Sequence, residues 1–551
     1  MKRLLAMLLA VVMVLSLAAC GGSSEPTPTA APTEAPNTEA SAAEDHGPYW
    51  LSDEKVTLKV FMTYEDANRA AIGDDPNGSP VVQKLEELTN VHIEFICPPA
   101  GDDGSFFNLM LMNPDEWPDI FIHDLKAKYD GGILEAIDDG VIINHQKLLE
   151  QYGQNILALA EKNKEAYDTD LRWLDNGMLN ITEYGEPCIQ NKATYGTVMR
   201  KDWLDECGLE VPTTFDEFEA ACLAIMDKHP EVKYGMAVAG LNSWWVGRNS
   251  FYTAGYGFPN NWIEPMVAAD GTVTASPLTE GYGEWLEMMN RWSDEGIWHP
   301  DNWTFNDDAC RNALVTGQAI ATTSAMWRID QDIELGKEAD PNFELVPVPV
   351  LRKEGDTSTL HFTDIGVHTD VGFANYYISA ACENQELAMK WLNVLSQQEI
   401  CDMLMFGIGV EMDGKELGTY NEDGLATYAD WVWDDLTDVR DAFYIQKLVM
   451  CYGDGAHDRD SEMYWEVMNV WSDNVDGDCL IDEIYSATQE ENDAYKPIYD
   501  NVRSILKEYV KAIILGDRPL SDWDDALQKM KDAGIDEYVE IWQGIYDRGR
   551  G

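Results

Sequence analysis

The chain has 551 residues and carries 99 Asp and Glu against 38 Lys and Arg, a formal charge of −61 at pH 7. That balance excludes nucleic acid and anionic lipid as partners, because phosphate contacts need clustered cations. Hydrophobic residues make up 45% of the chain, with 15 Phe, 24 Tyr and 19 Trp; this is enough to fill large cores and to exclude disorder over most of a length worth about three to four domain-sized units.

Lys2 and Arg3 precede an uncharged apolar run, Leu4 to Leu15, and polar sequence follows almost at once. A run this short reads as a secretory signal rather than a membrane-spanning helix. It ends in Leu17-Ala18-Ala19-Cys20, which resembles a bacterial lipobox and implies cleavage before Cys20 with a lipid on its sulfur. Residues 1–20 are therefore expected to be a lipoprotein signal peptide. Residues 21–48, mostly Ser, Thr, Pro, Ala and Glu, read as a disordered linker that holds the folded body clear of the surface. Ten cysteines include Cys20, so an odd number remains, and no CxxC occurs. Cys222 and Cys382 sit among apolar residues, where a free thiol behaves as a small hydrophobe.

Val56, Leu58, Val60 and Met62 alternate as a strand does. Ser79 offers an N-cap with Pro80 behind it, and Val81, Leu85 and Leu88 follow at helical spacing. Val91, Ile93 and Phe95 alternate again, completing a βαβ unit that predicts a parallel sheet. Phe106 to Met112 reads as a helix and Pro118 to Ile122 as a short buried strand ending at His123 and Asp124. Tyr195 to Arg200 predicts a strand, followed by a helix through Trp203 and Leu204 that stops at Gly208. Thr214 and Glu217 fit a capping box for a helix with Phe215, Phe218, Cys222 and Ile225 on one face. Tyr282, Trp285, Met289 and Trp292 form another apolar stripe, read as core. Ala319 to Thr322 is a small strand leading to Trp327, and Tyr376 to Ala381 a strand before a helix faced by Leu387, Trp391 and Leu395. The C-terminal part is helical, with one stripe ending at Gly516 and a last one through Tyr538, Ile541, Trp542 and Ile545. Strands alternating with helices predict an α/β architecture.

Several of these segments resemble the extracellular solute-binding proteins of carbohydrate ABC transporters (family 1), in particular the large lipoprotein subgroup of Gram-positive bacteria. The carriers are Ser79 to Val91, Trp117-Pro118-Asp119-Ile120, Met199 to Leu204 with Gly208-Leu209 and Val211 to Thr214, and Gly516 to Trp523 followed by Gly534 to Tyr538. The resemblance spans almost the whole mature chain. It implies a two-lobed periplasmic-binding-protein-like fold with a hinge between the lobes and a helical C-terminal part. Lobe one would take residues 50–190 plus 372–412, and lobe two 195–350 plus 415–551. It also implies a monomeric receptor, lipid-anchored on the extracellular face of the cytoplasmic membrane of a Gram-positive bacterium. That receptor would bind an oligosaccharide in the interlobe cleft and deliver it to ABC permease subunits, touching the membrane only through its lipid.

Ligands of open α/β sheets bind beyond the carboxyl ends of the strands. That rule selects Tyr64 and Glu65, His123 and Asp124, and Trp327, which resembles the position where the family stacks an aromatic ring on a sugar. Sugar recognition needs flat aromatic faces together with carboxylates and amides for hydroxyls. Trp244, Trp245, Trp262 and Trp303 lie in irregular sequence and are further candidates, as is Arg248 for a hydroxyl or a uronate. Trp431 and Trp433 could add to the cleft from the C-terminal part. No catalytic residue is expected: a glycosidase needs two carboxyls at a set separation, and no local motif singles out a pair. A cell-surface glycan-active enzyme, and a peptide-binding or sensing member of the same fold, are the alternatives. No cofactor or metal is expected. His361 and His368 lack a third ligand nearby, and in the EF-hand-like Ser472 to Glu483 the first position is Ser472, where a carboxylate is needed.

Overall fold

The computed structural model describes residues 46–549, apart from 103, 130–131, 163–180, 186–191, 240–250, 260–262, 269, 362–373, 458, 477–478, 480 and 482–486. The principal strands, in chain order, are β1 (Val56–Met62), β2 (Val91–Ile96), β3 (Ile120–Ile122), β4 (Ile181–Thr182), β5 (Tyr195–Arg200), β6 (Tyr234–Ala237), β7 (Ala319–Ala325), β8 (Leu345–Val348) and β9 (Asn375–Ile378). The principal helices are α1 (Pro80–Thr89), α2 (Lys201–Cys207), α3 (Phe215–Lys228), α4 (Gly281–Asp294), α5 (Asp307–Val315), α6 (Ile329–Ala339), α7 (Gln385–Leu395), α8 (Gln398–Phe406), α9 (Glu462–Trp471), α10 (Gln489–Ile514), α11 (Trp523–Asp532) and α12 (Ile535–Gly549).

The strands build two separate sheets, ordered β2-β1-β3-β9-β4 and β8-β5-β7-β6. In the first, β1 pairs in parallel with β2 and with β3, as the βαβ pattern predicts, while β9 runs antiparallel to both β3 and β4. In the second, β6 and β7 are parallel, and β5 is antiparallel to β7 and to β8. Both sheets are mixed. Their cores follow from the two-residue period of a strand: Leu58, Val60 and Met62 face one apolar cluster and Phe61 the other, and Tyr376 and Ile378 are split from Tyr377 in the same way. Strands covered on both faces are apolar throughout.

Direction decides where the chain crosses between sheets. The carboxyl ends of β1, β3 and β4 share one edge of the first sheet with the amino end of β9. In the second sheet the carboxyl ends of β6, β7 and β8 share an edge with the amino end of β5. The chain leaves the first sheet after β4 and enters the second at β5; it leaves β8 and returns at β9. Both crossings therefore start and finish on these two edges.

Helix termini follow local chemistry. At α3 the Thr214 hydroxyl accepts from the Glu217 amide while the Glu217 carboxylate accepts from the Thr214 amide, the reciprocal cap the sequence predicts. Gly208 ends α2 in a left-handed conformation, φ +68°. Ser79 departs from expectation. Its hydroxyl donates to the Phe443 carbonyl at 2.6 Å, and it makes no cap bond to α1.

The C-terminal part is shared between the two sheets. Leu417 to Cys451, which the sequence reading places with the second lobe, packs in the main core of the first sheet. The reason is an added rung beside β4: the Tyr184 amide donates to the Met450 carbonyl at 2.8 Å, and the Tyr452 amide to the Tyr184 carbonyl at 3.0 Å. α9 packs on the second sheet through Val467, Met468 and Trp471, and α10 and α11 join the other core of that sheet. The end of α12 turns back to the first sheet, where Ile545 and Tyr546 meet Phe61 and Phe121. Among the described residues no helix is long and apolar enough to cross a membrane.

Candidate functional site

The edge of the first sheet gathers charge. Glu65 follows β1, Asp124 follows β3, and Glu183 follows β4; their carboxylates act together on the ammonium of Lys447. Burial lowers the Lys447 pKa, and the three carboxylates oppose that shift. The lysine is presented by the segment that extends the sheet beside β4, and its carbonyl is held by the Tyr376 hydroxyl of β9 at 3.2 Å. Glu183 is buried, at 2% exposure. Three carboxylates against one ammonium make this wall acidic overall, suited to accepting from hydroxyl donors rather than to holding an anion.

The edge of the second sheet is aromatic. Trp327 follows β7 and is 53% exposed, one of the few large apolar side chains left in solvent among the described residues. Its ring is met edge-on by Tyr195 at the start of β5, with centroids 5.1 Å apart. Two features fix this pair: Tyr195 stands opposite Ala325 in the β5–β7 ladder, and the Met326 amide donates to the Thr194 carbonyl at 2.9 Å. Beside them lies a small polar crevice lined by Asp307, Arg311, Thr323, Ser324, Arg328 and Asp332. Asp332 is almost fully buried; burial raises its pKa, against hydrogen bonds from Arg311 and Ser324.

Other sequence candidates are placed differently. Tyr64 is 8% exposed, with the Arg69 guanidinium over its ring at 4.9 Å. Burial pushes its hydroxyl up to about 12. His123 turns into the aromatic cluster, its ring 4.5 Å from Phe107 and 5.3 Å from Phe61. Trp303 is 9% exposed and packs in the second sheet's core, 6.5 Å from Trp298. Each was expected to line the cleft, and each presents its ring chiefly to the interior. Trp431 and Trp433 pack partly buried against the first sheet's core. Trp244, Trp245, Arg248 and Trp262 lie outside the described residues, as do Cys20, His368, Gly477 and Glu483. His361 Nδ1 and the Asp476 carboxylate are 2.7 Å apart, so this acid of the EF-hand-like stretch already has a partner. Glu183, Lys447 and Tyr195 were not singled out from sequence.

Burial holds the His123 imidazole near pKa 4, below its ordinary 6.5. The neutral ring is what the folded protein accommodates, so this residue's contribution is intact above pH 6.5. It is lost as pH falls and the unfolded chain takes up the proton, and it levels off below about pH 4. Acidification from pH 7 to pH 4 should cost about 3 kcal/mol through this side chain. His123→Phe should escape that part of the loss, read as the difference between wild-type and variant denaturant curves at the two pH values.

Comparison with known proteins agrees with this architecture. A family model described as bacterial extracellular solute-binding protein matches residues 104–399. Lipoprotein LipO of Bacillus subtilis is 20% identical over 497 residues, covering 86% of this chain and 89% of that one. The fructooligosaccharide ABC transporter substrate-binding protein FusA of Streptococcus pneumoniae is 24% identical over 354 residues, 62% of this chain and 61% of its own length. The crystal structure of an extracellular solute-binding protein from Bifidobacterium longum subsp. infantis superposes with a TM-score of 0.74 at 16% identity, covering 91% of this chain and 99% of that one. The last likeness establishes the two-lobed α/β fold alone. With more than half the chain matched by the family model, over a fold of two mixed sheets, the chain belongs to the bacterial extracellular solute-binding proteins.

Proposed function

We propose that this protein is a lipid-anchored receptor that takes an oligosaccharide between its lobes and passes it to the permease of an ABC importer. In this reading one lobe is built on each sheet, with Leu417–Cys451 added to the first, and the lobes close on the sugar about the crossings. The observation that carries it is Trp327, an exposed ring on the edge of one sheet, where an apolar sugar face can stack. Glu65, Asp124, Glu183 and Lys447 on the edge of the other sheet supply acceptors and a donor for hydroxyls. The relative FusA, named for fructooligosaccharides, supports the ligand class, and LipO, a lipoprotein, supports lipidation at Cys20. Binding without turnover is the proposed activity, on the outer face of the membrane.

The test is a thermal-shift screen of the mature protein against fructo-, plant and mucin oligosaccharides, with released sugar assayed in parallel. Ligand at about 100 times its Kd stabilises by about 2.7 kcal/mol, a clear rise in Tm. A rise with no sugar released is expected. Released monosaccharide would convert the receptor into an enzyme, and a flat screen across all classes would remove the carbohydrate reading.

A further inference from the structure

The buried thiols of Cys401 and Cys451 meet inside the first sheet's core. Cys401 lies on α8 and Cys451 on the segment that pairs with Tyr184. Their exposures are 1% and 3%, and their sulfurs are 2.7 Å apart. That separation is about 0.7 Å longer than a sulfur–sulfur bond of about 2.05 Å. The Cys451 amide also points at the Cys401 sulfur, at 3.3 Å, and Cys401 Sγ lies 3.0 Å from the Leu395 carbonyl. We propose that Cys401 and Cys451 form a disulfide in the mature protein, clamping the Lys447-bearing segment to α8.

The chemistry is thiol–disulfide exchange with a disulfide of the extracellular medium, a small molecule or an exchange protein. The thiolate of one cysteine attacks the oxidant's disulfide and releases one thiol. The second cysteine then displaces the other half from the mixed disulfide. The two cysteines lose two electrons and two protons, the oxidant becomes two thiols, and one Cys401–Cys451 bond remains. An extracellular chain meets such oxidants. The contact with Cys401 and then burial push the Cys451 thiol far up, so exchange in the folded state is slow; the bond forms during folding and then persists. It closes a loop between positions 50 apart in sequence, long enough for a crosslink to restrict the unfolded chain substantially. In the folded state it fixes the segment that carries Lys447 four residues upstream.

The experiment uses the full-length protein secreted by a bacterial host, unfolded in denaturant with a thiol alkylating agent and no reductant, then digested for peptide mass mapping. A linked Cys401–Cys451 peptide, two hydrogens lighter than the sum of the separate peptides, is expected in most molecules. Treatment with reductant before alkylation should convert it into two alkylated peptides. Recovery of both peptides already alkylated without reductant, in half the molecules or more, overturns the proposal. A second readout is thermal: wild type unfolded and refolded in reductant should melt about 5 °C below wild type refolded without it, and a Cys401→Ser/Cys451→Ser double variant should melt alike after both treatments. Equal insensitivity of the wild type would equally overturn it.

Discussion

Trp327→Ala should remove most of the Tm rise that a bound oligosaccharide produces, while the unliganded Tm stays within about 1 °C of wild type. The two halves of that expectation have different physical origins. The ring is 53% exposed, so folding gains little from it and truncation opens no internal cavity. Its contact with Tyr195 is edge-on and leaves a face of the indole free. In a bound complex that face would be covered by the C–H side of a sugar, and aromatic anchors of this kind carry about 2–4 kcal/mol when truncated. The corresponding loss is about 30- to 1,000-fold in Kd, measurable by calorimetry with whichever glycan gives the largest thermal shift. Trp303→Phe is the contrasting control, because that ring is buried: it should lower Tm and leave affinity intact. An unchanged glycan shift in Trp327→Ala would take the residue out of the site.

The first sheet was legible because its strands declare themselves locally. β1 and β2 alternate over six or seven residues, and the helix between them carries a Pro at its start, so the parallel pairing follows from the sequence pattern. The capping box at Thr214 was legible for the same reason, since four adjacent residues contain the whole interaction. β4 was not legible: it has two residues, Ile181 and Thr182, too few to show a period. Its partner in the added rung, Cys451, lies far along the chain, and nothing near Tyr184 in sequence announces it. Glu183 and Lys447 were missed because they meet only after that rung forms. The rule that ligands gather at carboxyl ends of strands selects Glu65 and Asp124, and the structure brings both carboxylates to bear on Lys447 at that edge of the first sheet. It could not say which way each side chain turns. Tyr64 and His123 sit on that edge, yet their rings pack inward, where Arg69 covers one and Phe107 contacts the other.

The largest loss of stability should come from the smallest change, Gly196→Ala. Glycine inside a strand usually weakens it, and its presence often marks a close approach by another group. Here the group is Trp471 of α9, whose indole lies flat on the strand; a Cβ at residue 196 would fall 2.2 Å from Cδ2 and 2.4 Å from Cε2. The ring cannot slide away easily, because it is fully buried and its Nε1 donates to the Thr197 carbonyl at 3.0 Å. The strand cannot retreat either, because Gly196 pairs with Ser324 in the middle of the sheet. Overpacking of this kind costs about 3 kcal/mol. The expected outcome is a fall in Tm and a weakened glycan shift together, since Tyr195 and Trp327 sit on the same ladder. Chemical denaturation of the Trp471→Ala variant with and without the Gly196 change completes a double-mutant cycle. The penalty should shrink below about 1 kcal/mol once the ring is gone, and a penalty that persists would place its origin in the backbone of β5 rather than in the contact with Trp471.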